Sequence, residues 1–280
     1  MIRKGMFLLV LTLSIWAVAR FCHHQTKGFR LSKLKHNTTC LAHQRSPSLT
    51  SDQRALLDQK FHYLGRGLQC FAFLSEDGQT VLKLFNNRYQ NRLFWLQSTP
   101  LRHFFHHKIA YNQKKWALSF ASYEVAFESL KEETGLLFFH PKPCTECPLV
   151  TLVDPLHISH KIDLAKTAFV LQKKATMAYP YLDTCSADQA QSAIQSLVTL
   201  MQKKMSLGIN DRDPLIRTNF GFLEGRAVQV DIGPFSLDPT LKDSQSHKEE
   251  ITKITLSLKH WLEKHHPEFL PHLYDAIENL

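Results

Sequence analysis

The sequence feature that most constrains the fold of this chain is a polar segment in its second half. A loop and a hairpin pattern separate the residues of this segment, so they lie together only if both the loop and the hairpin form. Gly208-Ile-Asn-Asp-Arg-Asp213 is followed by Asn219, and a short hairpin pattern then leads to Asp231-Ile-Gly233. In Mg²⁺-dependent phosphoryl transfer one carboxylate takes a proton, while an amide oxygen and a second carboxylate hold the metal. The pattern therefore predicts that Asp213, Asn219 and Asp231 form one site.

A strand-rich block precedes this segment in the chain. Its aromatic and branched side chains form three runs, at 61–64, 71–74 and 80–85. Gly65-Arg-Gly67 separates the first two runs, and a turn with Asp77-Gly78 separates the last two, which is a hairpin signal. Lys83 lies within the third run, facing opposite to its two leucine neighbours. Taken singly, the glycine pair fits an ordinary turn and the lysine fits an edge strand.

Helical patterns occupy much of the remaining chain. Residues 122–133 predict a helix that ends at Thr134-Gly135, and Glu124 and Glu128 share one of its faces. Ser186 with Gln189 forms a capping box that opens a second amphipathic helix. That helix stops at Gly208, and residues 247–280 are also helical in pattern. Two further strands are expected near 150–153 and 167–172.

In this order the segments resemble the protein-kinase-like superfamily. The strand, Gly-x-Gly loop and strand lysine are similar to its phosphate-covering hairpin, and Gly-Ile-x-x-Arg-Asp is similar to its catalytic loop. Glu-x-x-x-x-x-Leu-x-x-x-Thr-Gly-Leu, which starts at Glu124, is similar to a helix of aminoglycoside-type phosphotransferases. The resemblance covers residues 58–235.

The resemblance implies a nucleotide site in the first half of the fold. Gly65 and Gly67 would cover the phosphates of ATP, although Cys70 replaces the third glycine of the usual motif. Lys83 would neutralise those phosphates. Glu124 would orient Lys83, with Glu128 as the fallback. A hinge is expected near 172–179, with Gln172 at the nucleotide.

The resemblance also implies roles for the polar segment. Asp213 would be the catalytic base, and Asn219 and Asp231 would hold Mg²⁺. The interval from Asp213 to Asn219 is six residues, where five is usual in the family. An alternative register makes Asp211 the base, as in the Asp-Arg-His sequence of lipid kinases, and leaves the loop three residues longer than usual.

We therefore expect an α+β, two-lobed kinase-like fold with an antiparallel N-lobe sheet and a small helical C-lobe. The expected parts are a signal peptide or membrane anchor, a basic flexible linker, the N-lobe with an insert at 86–121, and the C-lobe. Their bounds are 1–21, 22–51, 52–175 and 176–280, respectively.

About 46 residues follow Gly233-Pro234, and no activation segment or peptide-docking region is visible among them. This argues against a conventional Ser/Thr or Tyr protein kinase and favours a compact, atypical member of the small-molecule, lipid or uncharacterised bacterial type. The expected function is Mg²⁺/ATP-dependent phosphotransfer to an acceptor that the sequence does not identify. The alternative is a pseudokinase that binds nucleotide or acts as a scaffold at a membrane.

The N-terminus reads as a targeting segment. Arg3 and Lys4 precede an apolar run from Met6 to Ala19, which suits a signal-peptide core and is short for a span. Ala17-Val-Ala19 fits a cleavage site. The basic residues after Arg20 favour instead an uncleaved anchor that keeps the body on the cytoplasmic side.

The formal charge of +9 and the pI of about 9.2 favour acidic partners. Basic residues alternate with aromatic ones at 86–121, which predicts docking to an anionic membrane surface or another acidic partner. The alternative is that these aromatics pack into the N-lobe. No specific nucleic-acid motif is visible.

Cys144-x-x-Cys147 is the closest cysteine pair among six cysteines. Zinc would need two further ligands, and His140 supplies at most one. We expect a structural loop without metal at this place.

Overall fold

A computed structural model describes residues 2–34, 48–86, 88–100, 102–141, 147–243 and 247–280. The fold is α+β, as predicted. The chain divides into two compact units: residues 1–105 with 140–170 form the first, and 106–139 with 171–280 form the second. The expected lobe boundary at residue 175 lies close to the division between residues 170 and 171. Residues 106–139, which the prediction placed in the N-lobe, belong to the second unit.

The regular elements within the described ranges follow the predicted order. The α-helices are α1 (Ile2–Gln25), α2 (Ser51–Leu57), α3 (Arg88–Ser98), α4 (His106–Ser129), α5 (Lys131–Thr134), α6 (Ala178–Leu182), α7 (Ala187–Ser206), α8 (Ile216–Asn219), α9 (His247–His265) and α10 (Leu270–Glu278). The strands are β1 (Lys60–Arg66), β2 (Cys70–Ser75), β3 (Thr80–Phe85), β4 (Leu136–His140), β5 (Leu149–Val153), β6 (Ser159–Asp163), β7 (Phe169–Lys173), β8 (Thr176–Met177), β9 (Ile209–Asp211), β10 (Phe220–Leu223), β11 (Arg226–Gln229) and β12 (Phe235–Leu237).

Five strands of the first unit are neighbours in one sheet, in the order β3-β2-β1-β5-β6. The three predicted strands of the block at 61–85 are confirmed as β1, β2 and β3. The Asp77 carboxylate builds the second turn, since Oδ1 accepts from Ser75 Oγ at 2.6 Å and from Gln79 N at 2.9 Å. Gly78 has a φ of +72°, a conformation that glycine adopts without strain.

The prediction of an antiparallel sheet is wrong in one respect, because β1 and β5 pair in parallel, with Phe61 opposite Leu152. Parallel neighbours need a long crossover connection, and here β2, β3, α3 and α4 all lie between the two strands in the chain. The remaining pairs, β1–β2, β2–β3 and β5–β6, are antiparallel as expected. The sheet is therefore mixed.

The first residues of the expected flexible linker at 22–51 are structured. Cys22–Gln25 continue α1, and Phe29 and Leu34 are buried, each with 3% of its surface exposed. The Phe29 ring packs edge-on against Phe71 and Phe73 at centroid distances of 5.2 and 5.4 Å. The basic composition of this stretch gives no sign of its packing against the sheet, because the packing depends largely on one aromatic residue, Phe29. Residues 35–47 of the expected linker lie outside the described residues.

His140 closes β4 as a fully buried side chain of the first unit, with its Nε2 atom 3.9 Å from Cys147 Sγ. Burial lowers the pKa of His140 to about 4. Among the described residues, no group of three or more His, Cys, Asp or Glu side chains is placed to hold a metal ion. Cys144, the other half of the predicted loop motif, lies outside them.

We expect His140 to make the protein sensitive to acid. The unfolded chain binds a proton at this site below pH 6.5, whereas the native chain resists protonation down to about pH 4, so stability falls as the pH drops between these values. The loss at pH 5 is about 2 kcal/mol. Urea unfolding at pH 7 and pH 5 should show a smaller acid loss for His140→Gln than for the wild type. Equal losses would contradict the prediction.

The second unit is built around α7. Ser186 and Gln189 form the predicted capping box at its start, with Gln189 N donating to Ser186 Oγ at 3.4 Å. The buried face of α7 packs against α6, α9, α10 and the β10–β11 hairpin in one continuous core. Two small sheets, β11-β10-β8 and β12-β9, complete the unit. The predicted helix at 122–133 is also confirmed, as the end of the longer α4 together with α5, and Gly135 caps it with a φ of +62°.

Candidate functional site

The predicted polar segment forms a compact loop system in the second unit. Gly208 ends α7 with a φ of +71°, and a Cβ there would lie 3.1 Å from the Asp238 carbonyl oxygen, so only glycine fits without displacement. The chain then passes through β9, the short helix α8 and the β10–β11 hairpin. The hairpin returns Asp231 to the loop that contains Asp213.

Asn219 joins the two ends of this system. Its Nδ2 atom donates to the carbonyl oxygen of Asp213 at 2.6 Å. Its own carbonyl oxygen accepts from Val230 N at 2.7 Å and from Asp231 N at 3.3 Å. Asn219 is buried, whereas Asp213 and Asp231 are exposed. The side chain and the main chain of one buried asparagine thus hold two exposed aspartates at neighbouring positions.

Gly233 approaches the same loop closely. A Cβ atom at this position would lie 3.3 Å from Asp211 Oδ1 and 3.4 Å from Asp213 Cβ. A side chain at 233 would therefore crowd the loop. The Asp-x-Gly order that singled out this segment in the sequence has a steric reason in the structure.

Asp211 differs from Asp213 in its surroundings. Its Oδ2 atom accepts from Lys204 Nζ at 2.6 Å and from Gln229 Nε2 at 2.7 Å. Its Oδ1 atom accepts from the main-chain N of Asp213 at 3.1 Å. Gln229 Nε2 also donates to the Asp231 carbonyl oxygen at 3.1 Å. The Asp211 carboxylate therefore connects the loop of Asp213 to the strand that delivers Asp231.

Lys204 supports this loop from outside the predicted motif. Its side chain is 5% exposed, and its ammonium group lies over the rings of Phe220 and Phe235, 5.3 and 5.2 Å from their centroids. Burial lowers its pKa, while the charge of Asp211 acts in the opposite direction. A signal was present: Lys204 lies three residues after Met201, on the apolar face of α7. A lysine on a buried helix face needs a carboxylate partner.

The loop offers donors that suit a magnesium ion. Mg²⁺ binds one or two carboxylates through oxygen and completes its shell with water and substrate phosphates. The Asp231 carboxylate and the amide oxygen of Asn219 are such donors. The amide nitrogen of Asn219 donates to the Asp213 carbonyl, so the amide oxygen is the atom of this side chain that could serve as a ligand.

The other predicted residues of the second unit have distinct environments. Glu124 is half-buried on α4, whereas Glu128 is exposed, so burial distinguishes the two candidates. Gln172 is buried, and its Nε2 donates to the Thr134 carbonyl at 2.6 Å and to the Gln229 carbonyl at 3.4 Å. The amide nitrogen of Gln172 has a structural role, so a nucleotide contact here falls to other atoms of the residue.

Gly65, Gly67 and Lys83 lie in the first unit. Gly65 is part of β1 with open space where a Cβ would be, and Gly67 N donates to the Cys70 carbonyl at 2.9 Å. Lys83 is half-buried on β3, opposite Ala72 of β2, and its neighbours Leu82 and Leu84 are fully buried. The strand, glycine loop and strand lysine therefore occur in the predicted order, and their contact with a nucleotide stays a prediction.

We expect Lys204→Met to destabilise the protein by about 3–5 kcal/mol, because it leaves the Asp211 carboxylate buried without its cation. Urea unfolding of the full chain in an uncharged detergent measures the loss. The matched control is Lys203→Met, whose exposed ammonium pairs with Glu133 and whose loss should stay below about 1 kcal/mol. Equal losses for the two variants would contradict a structural role of the buried pair.

No family model matches the chain, and no curated protein matches its sequence.

Proposed function

We propose that this protein is an Mg²⁺/ATP-dependent phosphotransferase of a compact kinase-like type, whose phosphate acceptor remains to be identified. The observation that carries the proposal is the hydrogen-bonded set of Asp213, Asn219 and Asp231. Asn219 binds the main chain of both aspartates and leaves their carboxylates at the surface. Two exposed carboxylates and a fixed amide oxygen on one loop are what phosphoryl transfer needs for proton removal and metal binding.

Asp213 is the proposed base. The Asp211 carboxylate already accepts hydrogen bonds from Lys204, from Gln229 and from the main-chain N of Asp213. Asp213 is exposed, and its main chain is held at both the nitrogen and the carbonyl oxygen. A base of this kind takes the proton from the acceptor hydroxyl as its oxygen attacks the γ-phosphorus.

Asn219 and Asp231 are the proposed Mg²⁺ ligands. When bound, the ion neutralises charge that develops on the phosphate oxygens. The protein contributes the orientation of these ligands, which Gln229 supports by donating to the Asp231 carbonyl. Fixed ligands lower the entropy cost of assembling the site.

For the first unit we propose that Gly65 and Gly67 cover the phosphates and that Lys83 neutralises them. Of the two glutamates on the face of α4, we propose Glu124 for the acidic role, because it is the less exposed. The second candidate function is a pseudokinase that binds nucleotide or a protein partner without turnover. Cys70 favours it, because this residue stands where the kinase motif has its third glycine.

Nucleotide-dependent stability tests the proposal. The full chain in an uncharged detergent is melted with ATP alone, with Mg²⁺ alone and with both. The two together should stabilise it by about 2.7 kcal/mol at a hundredfold excess over the dissociation constant. Stabilisation without turnover of ATP supports a pseudokinase that binds nucleotide. The absence of any shift at millimolar Mg-ATP would reject the phosphotransferase and favour a pseudokinase that acts as a scaffold.

We further propose that the protein is held at a membrane by its N-terminal helix, α1. This helix is long and apolar enough to be a signal sequence or an anchor. The aromatic residues of the predicted docking segment at 86–121 fall into an exposed group and a buried group. Phe94, Trp95, Phe104 and Tyr111 are exposed, as an interfacial role requires, whereas Trp116 and Phe120 are buried and pack on each other at 4.7 Å.

We expect the chain that starts at Arg20 to float with anionic vesicles. Lys114→Glu with Lys115→Glu should reduce this flotation, because both cations belong to the exposed part of the segment or its border. Raising the salt concentration should have the same effect. Flotation that ignores lipid charge would contradict the docking role of 86–121.

A further inference from the structure

A basic cluster surrounds the end of the apolar helix α1 in the first unit. Gly5–Gln25 is the part of this helix that is apolar and long enough to cross a bilayer. Its 21 residues are about 31 Å long, and the last six begin with Arg20, whose long side chain extends towards the headgroups. The residues at and beyond its C-terminal end therefore lie at the depth of the lipid headgroups if the helix spans.

The chain beyond the helix has a fixed structure. Phe29 is buried against β2, as described above, and Lys33 Nζ donates to the Gly28 carbonyl at 2.7 Å. Gly28 has a φ of +74°, and a Cβ there would lie 1.9 Å from a guanidinium nitrogen of Arg66. Arg66 of β1 thus lies directly on the turn that ends α1. Sequence distance conceals this contact, because almost forty residues separate the two positions.

A cavity of about 790 Å³ opens between the helix end and β1. Three permanent cations line it, Arg20, Lys27 and Arg66, together with two histidines, His23 and His24. The lining residues include no Asp or Glu. Tyr63 contributes its ring, which lies 5.9 Å from Lys27 Nζ. The cavity has the size and charge for an anionic group of several heavy atoms.

We propose that this cavity binds the headgroup phosphate of an anionic phospholipid in the leaflet where α1 ends. Cations beside an aromatic ring at the end of a spanning helix are the arrangement that attracts such headgroups. Arg66 comes from β1, so the bound lipid would connect the anchor to the sheet of the first unit. The proposal rests on α1 as an uncleaved anchor and does not require phosphotransfer, although Gly65, proposed above to cover the phosphates of ATP, also lines the cavity.

Lipid binding to the full chain tests the site. The protein in an uncharged detergent is titrated with phosphatidylglycerol, with phosphatidylcholine of the same chains or with inorganic phosphate, and native mass spectrometry gives the bound fraction. Each lysine or arginine near an anionic headgroup contributes roughly fivefold to binding. Lys27→Gln with Arg66→Gln should therefore weaken phosphatidylglycerol binding by about 25-fold and leave phosphatidylcholine binding unchanged.

Two variants separate the site from general charge and from misfolding. Lys248→Gln with Lys264→Gln removes the same charge from exposed positions of α9 and should leave lipid binding unchanged. Lys27→Arg with Arg66→Lys keeps both cations and should retain the preference. Equal weakening by the α9 variant, or inorganic phosphate bound as tightly as the lipid, would overturn the proposal. A purified chain whose mass lacks residues 1–19 would also overturn it.

Discussion

Asp231→Asn is expected to remove the Mg²⁺-dependent part of ATP binding with little change in the stability of the unliganded protein. The exposed carboxylate is the one charged ligand proposed for the metal. An amide in its place keeps the shape and the main-chain bonds of residue 231 but removes the negative charge. We expect Mg²⁺ affinity in the presence of ATP to fall at least about a hundredfold. Calorimetric titration of the full chain with Mg²⁺ at saturating ATP measures it.

The control for this variant is another exposed aspartate of the same unit. Asp275→Asn on α10 changes the net charge equally and should bind Mg²⁺ and ATP as the wild type does. Unfolding of the unliganded Asp231→Asn protein should remain within about 0.5 kcal/mol of the wild type, as for most surface changes. Unaltered Mg²⁺ affinity in Asp231→Asn would show that the metal ligands lie elsewhere.

Local patterns predicted most of the elements correctly, because short-range physics decides them. The Asp77-Gly78 turn between β2 and β3 follows from a carboxylate that accepts from its own turn and from a glycine with positive φ. The start of α7 follows from the Ser186–Gln189 capping box. Gly208 ends that helix because the Asp238 carbonyl leaves no room for a Cβ. Each of these signals lies within a few residues of the structure it determines.

Contacts between distant segments were not predictable in the same way. The parallel pairing of β1 with β5 joins strands that are more than eighty residues apart, and nothing in either strand specifies the direction of its partner. The sequence predicts a linker around Phe29, because its basic neighbours dominate the local composition. Residues 106–121 were treated as part of an insert, yet they form the first turns of α4.

The candidate site shows the same division. Asp213, Asn219 and Asp231 were found from their order, and the hydrogen bonds of Asn219 bring them together as that order predicted. The sequence motif does not predict the hydrogen bonds that Lys204 and Gln229 make to this loop, because these residues lie on α7 and β11, outside the motif. The sequence left two registers for the base open. The proposed function takes Asp213 as the base, because Lys204 pairs with Asp211 and Asp213 lies at the surface.

The two registers predict opposite outcomes for a pair of single variants. Asp213→Asn is expected to lower Mg²⁺-dependent ATP turnover by about 10²–10⁴-fold, the usual contribution of a general base. Nucleotide binding should persist, because the metal ligands and the main-chain bonds of residue 213 are retained. Turnover is measured as ADP release with water as the acceptor, and binding as the Mg²⁺-dependent thermal shift.

Asp211→Asn should act through stability instead. An asparagine keeps an oxygen for Lys204 but removes the charge that balances the buried ammonium, so we expect a loss of about 3 kcal/mol. Asp211 holds the main chain of Asp213, so some loss of turnover is expected. At a temperature where the variant is folded, this loss should be less than about tenfold, because the proposed base itself is retained. If Asp211→Asn instead abolishes turnover with stability intact, and Asp213→Asn is active, then Asp211 is the base and the buried pair with Lys204 must open during catalysis.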